Sequence, residues 1–75
     1  MQTILVYTSR HGDRDVYAFS EYEYAEAKAV ELTQADFPHH TVNTLEDVRE
    51  LEMRQNFAVD LYRLNIDSGW PLETL

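Results

Sequence analysis

The sequence predicts a two-layer α+β fold of order β-β-α-β-α, in which a three-stranded sheet of order 2-1-3 is packed by two helices, the second one long. Three features carry this expectation. A pair of β-prone runs flanks a polar, glycine-containing cluster; two stretches with apolar residues at helical spacing each follow a Ser/Thr-x-x-acid signature; and a short β-tolerant run lies between them.

The first strand covers residues 3–9 (TILVYTS), which are β-branched and aromatic, and the second covers 15–19 (DVYAF). Between them, residues 10–14 (RHGDR) form the turn of a hairpin, with Gly12 as the position for a positive φ. In the second strand the aromatic Tyr17 and Phe19 share one face, and Val16, Ala18 and Ser20 share the other.

Ser20 with Glu23 matches a capping box, and residues 21–35 are rich in Glu, Ala, Lys and Leu, so a helix follows. Tyr22, Ala25, Ala29 and Leu32 form its apolar stripe, with Val30 beside it. Pro38 pushes Phe37 out of the α region, which ends the helix by about Asp36.

Residues 39–43 (HHTVN) are the expected third strand. Thr44 with Asp47 then repeats the capping signature, and Leu45, Val48, Leu51, Ala58 and Tyr62 form a second stripe that Phe57, Leu61 and Leu64 widen. Read as one helix, this segment has about 21 residues and a length of about 32 Å, against about 17–24 Å for the strands beneath it, so its apolar end overhangs the sheet. A strand over 57–66 is the rival reading, because Val59, Leu61 and Ile66 tolerate β structure and Asn56 can break a helix. Residues 68–75 form a tail whose Trp70 and Leu72 are expected to fold back onto the helices.

The 75 residues make a single domain, 1–75, with 14 Asp+Glu against 6 Lys+Arg and a net charge of −8. The absence of Cys excludes a disulfide scaffold and a Cys-ligated zinc module, and 44% hydrophobic residues exclude a low-complexity tail. No run of about 18 apolar residues exists, and the N-terminal apolar run has neither the length nor the charged lead-in of a secretory signal. A cytoplasmic protein is expected. Its negative charge disfavours direct contact with nucleic acid or an anionic membrane and favours a basic protein partner.

Groups with catalytic potential have simpler explanations. His11, Asp13 and Asp15 belong to a solvated turn that holds too few ligands for a metal, and His39 and His40, adjacent in a strand, point to opposite faces. Ser20 is read as a cap, Ser68 precedes a Gly-Trp-Pro turn, and neither a GxSxG elbow nor a glycine-rich phosphate loop is present. No enzyme activity, cofactor or metal is expected.

The acids carry more information. Helix-dipole complementarity accounts for Glu21, Glu23, Glu46 and Asp47, but Glu26, Glu31, Asp36, Glu50 and Glu52 lie beyond the first turns, with Lys28, Arg49 and Arg54 the nearest balancing charges. The expected function is that of a small acidic inhibitor or regulator, of the size and charge found in phage and mobile-element accessory proteins. Its carboxylate face, Glu23, Glu26, Glu31, Glu46, Asp47 and Glu50, would engage a basic surface such as a nucleic-acid-binding groove by DNA mimicry. The alternative is a self-associating module, a homodimer formed through the apolar face of the second helix at Phe57, Leu61 and Leu64, with Trp70 as a further anchor.

Overall fold

A computed structural model describes residues 2–64. The element order is β1 (Gln2–Thr8), β2 (Arg14–Phe19), α1 (Tyr22–Asp36), α2 (Leu45–Glu52) and β3 (Ala58–Leu64), an α+β fold whose three-stranded sheet has the order β2-β1-β3. Both pairings of β1 are antiparallel, Leu5 standing opposite Tyr17 on one side and Leu61 on the other. The sheet order matches the sequence reading, whereas the third strand and the second helix do not.

The hairpin forms as its residues dictate. Ser9 and Asp13 close the turn through a 2.8 Å backbone hydrogen bond, the Ser9 hydroxyl accepts from the backbone N–H groups of His11 and Asp13, and Gly12 takes φ 91°. Thr3, Leu5 and Tyr7 point into the core, and across β2 the aromatic face of Tyr17 and Phe19 is half-buried while Val16 and Ala18 are exposed.

Helix α1 has the expected extent, but its start differs. Glu21 is the N-cap and makes no side-chain cap bond, so the Ser20–Glu23 box does not form; Ser20 stands one residue too early for that role. Ala25, Ala29 and Thr33 are its buried residues. Thr33 extends the stripe by four residues and satisfies its hydroxyl by donating to the Ala29 carbonyl at 2.7 Å.

Residues 39–43 are not a strand. The Gln34 side chain occupies the backbone of this segment: its amide nitrogen donates to the carbonyls of Phe37 and His40, and its Oε1 accepts from Val42 N–H at 3.0 Å. Phe37 and Val42 thereby drop into the core from a connecting loop.

The expected long helix is an eight-residue helix followed by a strand. Thr44 and Asp47 form the reciprocal capping box that opens α2, and after Glu52 the chain tightens: Met53 N–H bonds to the Glu50 carbonyl, and Arg54 N–H to that of Leu51. Residues 55 and 56 (Gln-Asn) then break the run, and from Phe57 burial alternates, with Phe57 and Val59 buried, Leu61 half-buried, and Asp60 and Tyr62 exposed. The period has switched from 3.6 to 2 because β1, buried in the centre of the sheet, needs a second neighbour, and seven residues of β3 pair along its length. No overhanging helix remains among the described residues.

The helices cover one face of the sheet, and the core between the layers consists of Leu5, Tyr7, Ala29, Phe37, Val42, Val48, Leu51, Phe57 and Val59. Phe37 and Phe57 meet with ring centroids 4.9 Å apart. Among the described residues no buried side-chain polar atom lacks a hydrogen-bond partner.

Candidate protein-binding face

The acids of the helical layer fall into two groups once their partners are known. One group holds the fold together. Asp36, at the C-terminal end of α1, accepts from the Tyr7 hydroxyl at 2.9 Å and the Arg10 backbone N–H at 3.1 Å, with the Arg10 guanidinium 3.5 Å away. A carboxylate at a helix C-terminus opposes the macrodipole, and the arginine offsets this. Asp47 accepts from the backbone N–H groups of Asn43 and Thr44, which hold its carboxyl below the usual carboxylate range.

Glu31 pairs with Lys28 at 2.8 Å, an exposed contact of small energetic weight. Glu52 has a more specific role. It accepts from Arg49 at 2.7 Å and from Val59 N–H at 2.9 Å, while Arg49 donates to the Val59 carbonyl at 2.6 Å. Together the two side chains satisfy both backbone groups of Val59 and cover the outer edge of β3 at that residue.

The other group consists of Glu23, Glu26, Glu46 and Glu50, none of which enters an ion pair or side-chain hydrogen bond among the described residues. Two of the side chains expected on the acidic face are thus committed elsewhere, Glu31 to Lys28 and Asp47 to its cap, and Glu52, not expected on that face, is committed to β3. Of the second group, Glu26 lines a shallow depression of about 420 Å³ between α1 and the start of α2, together with Ala27, Val30, Asn43, Thr44 and Leu45. Its floor is apolar at Val30 and Leu45, both half-buried, and Glu26 stands at its side. Glu23 lies one turn earlier on the face of Glu26, and Glu46 follows Leu45 in the first turn of α2.

A smaller hollow of about 140 Å³ lies on the far side of α2, where Asp47 and Glu50 stand with His40 and Arg54. There the acids have cationic company. This hollow is thus mixed in charge through Arg54, whereas among the described residues Glu26 is the one charged residue lining the first.

The apolar residues expected at a partner surface are placed differently. Phe57 is 8% exposed and part of the core, and Leu61 packs half-buried against it. Leu64 closes β3 opposite Gln2, and Trp70 lies outside the described residues. His11, His39 and His40 are exposed in turns; among the described residues no group of three or more His, Cys, Asp or Glu is arranged to hold a metal ion. No helix there is long and apolar enough to cross a membrane.

In comparisons with protein-family models, curated proteins and solved structures, nothing matches this chain. The functional reading therefore rests on the side chains themselves.

Sequence reasoning missed Asp36, Glu52 and Thr33 as structural residues. Thr33 was legible in the four-residue spacing Ala25, Ala29, Thr33, although its hydroxyl hid it from an apolar count. The roles of Asp36 and Glu52 depend on contacts 29 and seven residues away in sequence, and no local signal announces them.

Proposed function

We propose that this protein is a small acidic regulator that binds a basic protein surface through the depression between α1 and α2. The observation that carries this reading is Glu26 beside the apolar Val30 and Leu45 of this depression, with Glu23 one turn earlier on α1 and Glu46 next to Leu45 in α2, none of the three in an ion pair among the described residues. A lysine or arginine of a partner has a place for each of its parts here: the aliphatic stem lies on Val30 and Leu45, and the cation meets Glu26.

The net charge of −8 steers such a partner from a distance, and the fixed helix positions set the spacing of the carboxylates. A basic groove that ordinarily holds nucleic acid phosphates is the surface this array fits, and occupancy by the regulator would exclude the nucleic acid. The binding is salt-dependent, because it replaces screened charges by paired ones.

Affinity capture from a lysate with a rising salt gradient tests the proposal. Glu26→Lys and Glu46→Lys each lower the captured basic protein at least tenfold, whereas Asp13→Lys, the same charge change in the hairpin turn, lowers it less than threefold. Equal losses for all three variants would reduce the effect to net charge and overturn the site.

A further inference from the structure

The sheet has a second face, which the helices do not touch. Alternation along the strands places Ile4 and Val6 of β1, Val16 and Ala18 of β2, and Tyr62 of β3 on it, and the register sets them side by side: Ile4 stands between Ala18 and Tyr62, and Val6 between Val16 and Asp60. Val16 is 63% exposed and Tyr62 52%. Ile4 and Val6, on the central strand, are half-buried between them.

Charges of opposite sign bracket the patch at its two edges. Arg14 on β2 belongs to the row of Thr8 and Ala58, and Asp60 on β3 to the next row, with Val6 and Val16. Both are exposed, and neither forms an ion pair among the described residues.

We propose that a second copy of this chain covers this face, in an isologous dimer whose two-fold axis runs along β1 between the two sheets. Such an axis exchanges the edges of the sheet and keeps each row at its own level, so β2 of one copy lies over β3 of the other. Arg14 then faces Ala58 of the other copy with Asp60 one row away, about 7 Å along the strand and within the reach of an arginine side chain. The contact occurs twice by symmetry, at both rims of an apolar centre built from Ile4, Val6, Val16 and Ala18.

The other face-to-face arrangement, with the axis across the strands, sets β3 over β3 and β2 over β2. It brings Asp60 toward Asp60 and leaves Arg14 over apolar residues, so like charges oppose it. Growth of the sheet at β3 is obstructed as well, because Arg49 and Glu52 already occupy the backbone of Val59. Charge complementarity therefore selects one geometry.

Three strands about 4.8 Å apart and about 20 Å long give a footprint of about 300 Å² per copy, well below the roughly 800 Å² of a standard interface, so the dimer is a weak, transient one.

Sedimentation equilibrium of the full chain from about 5 μM to about 1 mM tests the inference, the range suited to a dissociation constant of tens to hundreds of micromolar. The weight-average mass is expected to rise across it from near that of one chain toward that of two. Val16→Asp keeps the chain monomeric at every concentration with an unchanged circular dichroism spectrum, since Val16 takes no part in the core. Arg14→Asp and Asp60→Arg each weaken association about fivefold or more, and the double variant restores it to within about twofold, as a coupled pair requires. A wild-type chain that stays monomeric at about 1 mM overturns the proposal, whether residues 65–75 or a different protein occupies the face. A dimer indifferent to Val16→Asp, or not rescued by the double charge variant, overturns it equally. None of these substitutions touches Glu23, Glu26 or Glu46, so the outcome is independent of the partner-capture experiment.

Discussion

The Tyr7 hydroxyl donates a 2.9 Å hydrogen bond to the carboxylate of Asp36, joining the middle strand of the sheet to the C-terminal end of α1. The same carboxylate receives the Arg10 backbone N–H, so one acid fixes the sheet, the hairpin turn and the helix relative to one another. Burial, with the neighbouring Asp36 carboxylate as the next cause, pushes the Tyr7 hydroxyl well above the ordinary tyrosine range.

Tyr7→Phe keeps the ring against Phe57 and removes only the hydroxyl. It is expected to lower stability by about 1.5–3 kcal/mol, the worth of a hydrogen bond to a charged group. It also changes the alkaline limb. Because the folded pKa lies above the unfolded one, Tyr7 contributes stability fully below pH of about 10, and that contribution is lost as the pH rises further. Urea titrations between pH 8 and 11 should show a shallower decline for Tyr7→Phe than for the wild type.

Asp47 carries the opposite sign. Its carboxyl titrates below the ordinary range in the folded chain, through the backbone N–H groups of Asn43 and Thr44, so its contribution is present above the unfolded pKa of about 4 and lost as the pH falls through the folded value. Asp47→Asn keeps an acceptor for those N–H groups and abolishes the titration. Its thermal midpoint is expected to fall less steeply between pH 5 and pH 2 than that of the wild type. Asp47→Lys, by contrast, breaks the capping box of α2 and lowers stability, so it does not report cleanly on partner binding.

Glu52→Ala leaves the Val59 N–H without its acceptor and Arg49 without its acid. A loss of about 1–3 kcal/mol is expected, with faster amide exchange at Val59 than in the wild type. Unchanged exchange at Val59 would show that α2 does not hold the edge of β3.

Leu5 lies in the middle of the central strand and is fully buried. Leu5→Ala is expected to cost about 2–5 kcal/mol, comparable with the whole stability of a domain this small, and to leave the chain largely unfolded at 25 °C by circular dichroism.

What the sequence determined by itself is what local chemistry decides. The hairpin around Gly12, the body of α1 and its stop before Pro38, and the capping box of Thr44 and Asp47 each depend on residues a few positions apart, and each formed. The sheet order 2-1-3 was legible too, since a hairpin followed by a crossover leaves few placements for a third strand.

Which segment became that third strand was decided by tertiary structure. Phe57, Leu61 and Leu64 fit helical spacing, and Phe57, Val59 and Leu61 fit alternation; the ambiguity is intrinsic to a short apolar run. β1, apolar from Ile4 to Tyr7 and central in the sheet, resolved it by pairing with seven residues of β3, while Gln34 withdrew the backbone of 37–42 from competition. The sorting of the carboxylates followed from the same event. Once β3 lay beside α2, Glu52 and Arg49 were bound to Val59, and with Asp36 held by Tyr7, Glu23, Glu26, Glu46 and Glu50 were left without ion pairs among the described residues. A sequence shows that a chain carries excess charge, but the use of each charge depends on which backbone and side-chain groups the fold brings within about 3 Å of it.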